Sequence, residues 1–410
     1  MDRRLSLSII LFFICLSIFI GFVLVSEYRN MKSLKTEYPG IPEKAYNYRK
    51  ASLNIWAVNL VLKFLFPLLL LITGLSNRIG IFARGSGRSL FWTGFIYVVI
   101  FSIIDLLIAL PIDFYGGFIL RHRYGFSNQS LFRWLEIVFK NFIINGLVFS
   151  LLIWFPYYLI FRSPNRWWLY LGLLAIPAIA FVTFISPMYV DPIFNRYTSI
   201  EDDELGREIK VLLKRAGVEG ADIYRVDKSR DTKLMNAYMT GVFKSKRIVL
   251  WDTTMDKLDR DEVLSITAHE IGHYVRGHIW RGIVLGGLLS IALMYLVHRT
   301  SGLILKRSNG AFGFRKLYDI ASIPLLILML NLYMFLASPI INFGSRQMER
   351  EADAYEIGLT ENKEAAISSL DKLYRESLSL PRPSTIFKIW YHSHPTPEER
   401  IDFFNSHGED

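Results

Sequence analysis

The chain has 410 residues, of which 52% are hydrophobic, and it carries a formal net charge of +10. Runs of roughly 20 or more residues without Asp, Glu, Lys or Arg exclude an ordinary soluble protein, because each can cross the ~30 Å hydrocarbon core of a bilayer as a helix. The positive charge does not indicate nucleic-acid binding, since the sequence contains no nucleic-acid motif and basic loops beside anionic lipid headgroups account for it.

Seven membrane-spanning helices are predicted from the apolar runs. Four contain no charged residue and cover residues 5–26, 141–161, 167–190 and 320–343. The other three cover residues 53–75, which include Lys63, residues 90–118, which include Asp105 and Asp113, and residues 279–297, which include Arg281. Charged groups inside a span usually face a partner or a wet cavity. They therefore either line a polar interior or form a Lys–Asp pair that joins two spans.

The first span is expected to be an uncleaved anchor. Arg3 and Arg4 precede it as in a signal peptide, but the apolar run is too long and residues 23–27 offer no small-x-small cleavage site. The single cysteine, Cys15, lies within this span. It excludes an intramolecular disulfide and argues against a thiol nucleophile.

The spans divide the chain into four predicted parts. Residues 1–190 form a five-span membrane domain, residues 191–278 a soluble insertion, residues 279–343 the sixth and seventh spans, and residues 344–410 a soluble tail. Two spans separate the insertion from the tail, so both are expected on the same side of the membrane. The basic residues are too evenly divided between the two sides for the positive-inside rule to decide the orientation.

A β-hairpin is predicted in the insertion. Residues 236–243 and 247–251 have the composition of two strands, and the short link at residues 244–246 would join them. The segment begins with Asn236 and Ala237. An exposed edge of such a hairpin could bind the backbone of an extended substrate through main-chain hydrogen bonds. An ordinary structural hairpin fits the sequence equally well.

The segment that follows carries an H-E-x-x-H motif and is predicted to be a helix. Asp259 and Glu262 are spaced as a capping box at its start. Residues four apart share one face of a helix, so the imidazoles of His269 and His273 can bind one zinc ion. Glu270 would lie beside that ion, where it can accept a proton from the attacking water.

A second charged segment, residues 345–353, offers a third zinc ligand. Glu349 and Asp353 are four residues apart on a predicted helix that ends near Gly358. Glu349 can complete a His-His-Glu site for one zinc ion per chain, and Asp353 can accept the free N–H of a zinc-binding histidine. A solvated, charged helix surface is the alternative for this segment.

Two histidines and an arginine lie in a predicted loop near the C-terminus, at residues 392–400. Either histidine, His392 or His394, could stabilise the oxyanion of a tetrahedral intermediate. Plain surface histidines fit the sequence as well.

The chain resembles the integral-membrane zinc endopeptidases of the CAAX prenyl protease type 1 family. The resemblance covers nearly the whole chain, and the segments that carry it are residues 124–126, 236–238, 246–250, 268–273, 277–278, 345–349, 352–353 and 393–400. It implies that His269, His273 and Glu349 bind zinc, that Glu270 is the general base, and that Asp353 supports a zinc ligand. It also implies that His394 and Arg400 act in the active site and that Asn236, Ala237 and Tyr238 form a substrate-binding segment.

The resemblance implies a mainly α, polytopic fold. Seven transmembrane helices would form a barrel around a water-filled chamber, capped by a gluzincin-type zinc protease domain with a small β-hairpin or sheet. The link between the sixth and seventh spans, residues 299–316, is shorter than in eukaryotic members, and residues 407–410 hold no endoplasmic-reticulum retrieval signal. A prokaryotic plasma membrane is therefore expected, or the endoplasmic reticulum if the chain is eukaryotic.

The sequence thus predicts a monomeric, membrane-embedded zinc metalloendopeptidase that cleaves peptides or proteins, including prenylated ones. One alternative is a broad-specificity quality-control protease for membrane or stalled translocating proteins. Another is a transporter or scaffold with a vestigial zinc site, although the residues that such a relic would lose are all present.

Overall fold

The computed structural model describes residues 1–242 and 245–406. Residues 243–244, where a predicted strand ends, and residues 407–410 lie outside this range. The chain is predominantly helical and contains one four-stranded sheet.

Among the described residues, seven helical segments are long and apolar enough to cross a membrane, as predicted. The first two are α1 (Arg3–Glu37) and α2 (Glu43–Ile72), after which comes the short helix α3 (Leu75–Ser86). The third consists of α4 (Leu90–Asp113), a π-helical turn (Phe114–Leu120) and α5 (Arg121–Tyr124), and the fourth of α6 (Leu131–Leu152) and α7 (Trp154–Arg162). The fifth consists of α8 (Trp167–Ile185), a second π-helical turn (Ser186–Val190) and α9 (Asp191–Phe194).

The charged side chains inside these helices are not paired with one another. Lys63, Asp105 and Asp113 are exposed, and within the described part of the chain neither aspartate forms an ion pair with Lys63. The Lys–Asp pair considered from the sequence is therefore wrong. The exposure of these charged side chains within apolar helices is consistent with the other prediction from the sequence, that they line a polar interior.

The predicted insertion, which follows the fifth apolar helical segment, folds around the sheet. Its elements are β1 (Tyr197–Ser199), α10 (Glu204–Arg215), β2 (Asp222–Val226), β3 (Ala237–Thr240), β4 (Arg247–Trp251), α11 (Asp252–Lys257) and α12 (Arg260–Val275). The strand order is β1-β2-β4-β3, with β2 parallel to β4 and the other pairs antiparallel. The predicted hairpin is β3 and β4, with Ala237 opposite Leu250, and β3 is an edge strand.

The last two apolar helical segments are longer than their predicted spans. They are α13 (His278–Ser308) and α14 (Ile323–Thr360), the latter preceded by a 3₁₀ turn (Ile320–Ser322). Helix α14 ends at Thr360, where Glu361 takes a left-handed conformation with φ 54°, two residues beyond the predicted end near Gly358. The chain closes with α15 (Lys363–Glu376), α16 (Thr385–Tyr391) and α17 (Pro397–Ser406).

Helix α12 lies between the sheet and α14. Its buried residues Ala268 and Ile271 belong to the same core as Ile223, Ile248 and Leu250 of the sheet. On the side facing α14, a Cβ added at Gly272 would lie 3.2 Å from the carbonyl oxygen of Ala352. The missing side chain at Gly272 thus allows α12 and α14 to pack closely next to the predicted ligands.

In the membrane, α8 and α13 also pack closely at glycines. A Cβ added at Gly172 of α8 would lie 2.8 Å from the Cα of Ile291, and one added at Gly287 of α13 would lie 2.5 Å from Cγ1 of Ile176. The hydroxyl of Ser290 lies 2.9 Å from the carbonyl oxygen of Gly172. Small residues that let helix backbones approach are a common device for association in lipid, where no hydrophobic effect drives it.

Candidate metal centre and active site

The helix that carries the H-E-x-x-H motif begins with the predicted capping box. The side chain of Asp259 accepts a hydrogen bond from the backbone N–H of Glu262 at 3.0 Å, and the Glu262 carboxylate accepts one from the backbone N–H of Asp259 at 2.9 Å. The two bonds satisfy donors that a helix start leaves free. The first turn of α12 is thereby held in place two turns before His269.

Three side chains with potential ligand atoms converge between α12 and α14. Nε2 of His269 and Nε2 of His273 are 3.1 Å apart. The two carboxylate oxygens of Glu349 lie 3.5 Å from these nitrogens, Oε2 from His269 and Oε1 from His273. This group of atoms could hold a metal ion.

The carboxylate of Glu349 lacks a partner for one of its oxygens. Glu349 is 6% exposed, and its buried Oε2 has no hydrogen-bond partner within the described residues. A buried polar atom without a partner needs an explanation, because leaving it unpaired costs free energy. A cation between the three side chains would supply the missing interaction.

The charge state of the two histidines fits a cation site. Burial lowers the pKa of His273 to about 4, so its imidazole is neutral at pH 7 and keeps a lone pair free. Burial also lowers the pKa of His269, but the nearby carboxylates of Asp353, Glu349 and Glu356 outweigh it and raise that pKa well above its usual value. The three carboxylates therefore favour a positive charge beside them, at the position of the His269 ring.

Glu270 lies next to the convergent side chains. It lines a cavity of about 600 Å³ together with His269, His273, Glu349 and His394. Burial raises the pKa of its carboxyl group to about 7. A carboxylate with such a pKa, facing a cavity, can take up and release a proton near neutral pH.

Asp353 contacts His269 at the ring nitrogen that does not face His273 and Glu349. Its Oδ1 lies 3.0 Å from Nδ1 of His269, and Asp353 is only 1% exposed. Arg400 of α17 donates two hydrogen bonds to the same carboxylate, one of them from Nε at 3.0 Å. Its guanidinium thus lies against Asp353 and compensates a charge that would be costly to bury alone.

Sequence reasoning missed Glu356, which follows Asp353 on the same face of α14. Its carboxylate accepts a hydrogen bond from the buried hydroxyl of Ser265 and lies 3.5 Å from Nδ1 of His269. With His269 and Asp353 it forms a second group of atoms close enough to hold a metal ion. The helical spacing of residues 349, 353 and 356 would have indicated it.

Of the two histidines near the C-terminus, only His394 reaches the cavity. Its exposed imidazole has Nε2 at 3.4 Å from Oε1 of Glu349. His392 instead lines a neighbouring cavity of about 330 Å³, where burial lowers the pKa of its imidazole to about 4. Its carbonyl oxygen accepts a hydrogen bond from Arg346 at 2.7 Å.

Strand β3 forms one side of the cavity. Asn236, Ala237 and Met239 line it. The side chain of Tyr238 points to the other face of the strand, as β alternation requires, and its hydroxyl lies 3.1 Å from that of Tyr197. Within the described residues, β3 is at the edge of the sheet and pairs with β4 on one side.

Two family descriptions match the chain in succession. Residues 40–196 match the CAAX prenyl protease N-terminal family, which has five membrane helices, and residues 199–406 match peptidase family M48. The crystal structure of S. mikatae Ste24p has the same fold, with a TM-score of 0.84 and 23% sequence identity, covering 95% of this chain and 98% of that one.

Two relatives match over most of their length. A protein described as uncharacterized metalloprotease YhfN of Bacillus subtilis is 37% identical over 340 residues, which are 82% of this chain and 79% of that protein. The CAAX prenyl protease 1 homolog of Dictyostelium discoideum is 30% identical over 384 residues, 87% of this chain and 85% of its own. These matches favour a protease over a transporter or scaffold. The chain belongs to peptidase family M48 and is a metallopeptidase that crosses the membrane several times.

Proposed function

We propose that the chain is an endopeptidase dependent on one zinc ion, which would be held by His269, His273 and Glu349. The observation that carries the proposal is the spacing of donor atoms from three side chains: 3.1 Å between the two imidazole nitrogens, and 3.5 Å from each nitrogen to one carboxylate oxygen of Glu349. Ligand atoms ~2.0–2.1 Å from a tetrahedral ion stand roughly 3.3 Å apart. Two imidazole nitrogens and a carboxylate are also a donor set that catalytic zinc sites use, with one position left open.

A zinc ion bound there would polarise the scissile carbonyl and lower the pKa of a water molecule towards ~7. The protein's own contribution to proton transfer is assigned to Glu270. Its carboxylate would take the proton from the attacking water and pass it to the amine of the leaving peptide. The raised pKa of Glu270, about 7, supports both halves of this transfer.

The supporting roles follow from the contacts around the ligands. Asp353 would accept the Nδ1–H of His269 and so keep the Nε2 lone pair of that ring directed into the site. Arg400 would hold Asp353 in place, since its hydrogen bonds go to that carboxylate. His394, at the edge of the cavity, would donate a hydrogen bond to the oxyanion that forms on the substrate.

The free edge of β3 is the proposed binding surface for the substrate backbone. An extended peptide could add there as a further strand, beside Asn236 and Ala237, which line the cavity. Tyr238 would contribute through its main chain, because its side chain is directed towards Tyr197.

A protein or peptide with a prenylated C-terminus is the proposed substrate. Further relatives are the CAAX prenyl protease 1 of Saccharomyces cerevisiae, 28% identical over 328 residues, and the CAAX prenyl protease 1 homolog of Homo sapiens, 27% identical over 372 residues. Exposed charges at Lys63, Asp105 and Asp113 support the proposal that the membrane helices enclose a water-filled chamber. The similarity to the Bacillus subtilis protein supports a plasma-membrane location in a prokaryote, and we propose a monomer.

The proposal can be tested with purified protein in nanodiscs, using two peptides that differ only in a farnesyl group on the cysteine of a C-terminal CAAX sequence. The wild type and Glu270→Gln are compared after zinc has been measured in both. Cleavage of the farnesylated peptide by the wild type, and its loss in Glu270→Gln at equal zinc content, is the expected result.

The possible failures have different meanings. Equal cleavage of both peptides would contradict the proposed specificity and leave the zinc mechanism intact. Full activity in Glu270→Gln would contradict the role of Glu270 as the general base.

A further inference from the structure

The second proposed ligand, His273, has a contact that the proposed mechanism does not use. His278 begins α13 just after Gly277, whose left-handed φ of 68° turns the chain. The His278 ring is buried, and its Nδ1 lies 2.9 Å from Nδ1 of His273. Its Nε2 lies 3.2 Å from a carboxylate oxygen of Glu351, which also pairs with Arg281 at 2.8 Å.

Three groups, His273, His278 and Glu351, are connected in series. The positions of the protons between them follow from which atoms can accept a hydrogen bond. The carboxylate of Glu351 can only accept a hydrogen bond, so Nε2 of His278 carries a hydrogen. In a neutral imidazole the other nitrogen is then an acceptor, and Nδ1 of His278 accepts from Nδ1–H of His273. The remaining nitrogen of His273, Nε2, keeps its lone pair and faces His269 and Glu349.

We propose that His278 and Glu351 are positioning residues, which hold His273 in the tautomer and orientation needed for a metal ligand. The inference rests on the proposed function, in which His273 binds the metal. The first ligand, His269, contacts the carboxylate of Asp353 directly, whereas His273 would reach the carboxylate of Glu351 through an intervening ring. Both carboxylates belong to α14, and each is paired with an arginine.

The alternative is that His278 only fills space at the start of α13. A purely structural ring would be replaceable by another buried ring of similar size. A positioning ring needs an acceptor atom for His273 and a donor atom for Glu351. The two possibilities therefore differ in what His278→Phe and His278→Asn do to metal affinity.

The test measures zinc affinity of the full-length protein in detergent by competition with a coloured chelator, so that the readout is independent of proteolysis. His278→Phe should weaken zinc binding by about 10- to 100-fold, the usual effect of losing a group that orients a ligand. His278→Asn, whose side-chain oxygen can still accept from His273, should recover part of the loss. Excess zinc should restore the activity of both variants with an unchanged KM.

Two further variants distinguish loss of the contacts between His273, His278 and Glu351 from general damage to helix α13. Glu351→Ala should also weaken zinc binding, and because Glu351 is partly exposed this variant is expected to fold even if a change at His278 is not tolerated. His298→Phe is the matched control, since it alters a histidine of the same helix that packs against Trp167, away from the site. It should bind zinc like the wild type.

His273→Ala distinguishes a failure of the inference from a failure of the proposed function. If His273→Ala keeps wild-type zinc affinity, His273 is not a ligand and the proposed function is wrong. If His273→Ala loses zinc while His278→Phe and Glu351→Ala bind it normally, the positioning role alone is wrong. The positioning role would also be wrong if His278→Phe weakened zinc binding, His278→Asn recovered none of that loss, and Glu351→Ala bound zinc like the wild type.

Discussion

Replacing Gly172 by alanine tests whether the close approach of α8 and α13 stabilises the membrane part of the protein. The new Cβ would lie 2.8 Å from Cα of Ile291 and 3.0 Å from its Cγ1. Favourable carbon–carbon contacts begin at about 3.5 Å. Because the nearest atom belongs to the backbone, a side-chain rotation cannot relieve the clash, and the two helices have to separate by several tenths of an ångström or more.

The expected loss of stability combines two effects. Overpacking of a well-packed interface typically costs about 1–3 kcal/mol. Separation of the helices also weakens the contact between the Ser290 hydroxyl and the carbonyl oxygen of Gly172, now 2.9 Å, and a hydrogen bond between membrane helices is worth about 0.6–1.7 kcal/mol. Gly172→Ala should therefore destabilise the protein by about 2–4 kcal/mol.

The measurement is equilibrium unfolding in mixed micelles, followed by circular dichroism and by tryptophan fluorescence. Gly302→Ala is the matched control, because it lies on α13 and a Cβ there would have no atom of another helix within 4 Å. It should stay within about 1 kcal/mol of the wild type, since alanine also favours the helix over glycine. Equal unfolding curves for Gly172→Ala and Gly302→Ala would refute the reasoning.

Three further predictions concern the site and the chamber. Glu270→Gln should lower kcat by at least about 100-fold while the zinc content stays at one per chain, because only proton transfer is removed; loss of the metal together with activity would contradict this. Asp353→Asn should weaken zinc binding by about 10- to 100-fold, measured by chelator competition, and unchanged affinity would argue against its role in orienting a ligand. In a Cys15→Ala background, Asp105→Cys should react with a membrane-impermeant maleimide in nanodiscs and Leu107→Cys, on the other face of the helix, should not, because only the first would face water; equal labelling would argue against a chamber at that depth.

Several features could be predicted because they depend on neighbouring residues alone. A bilayer of fixed thickness sets the length of an apolar run that can cross it, so the seven helices could be counted from composition. The capping box at Asp259 and Glu262 and the shared face of His269 and His273 depend only on the helical repeat. The hairpin of β3 and β4 could likewise be predicted from its short connection.

The surroundings of the proposed ligands could not be derived in this way. Which of His392 and His394 faces the cavity depends on how the last loop packs, so the residues themselves left both open and only the family resemblance favoured His394. The contact between His278 and His273 depends on the turn at Gly277, and the guanidinium of Arg400 reaches Asp353 only because α17 packs beside α14.

The sequence by itself determined that this protein spans a membrane seven times and carries a zinc-type motif on a helix, since apolar length and helical period are local properties of the chain. The tertiary structure decided which side chains surround that motif. The Glu349 carboxylate meets the two histidines because α12 and α14 approach closely at Gly272. How near two helices come, and at what rotation, depends on the packing of many distant residues at once, and no local pattern encodes it.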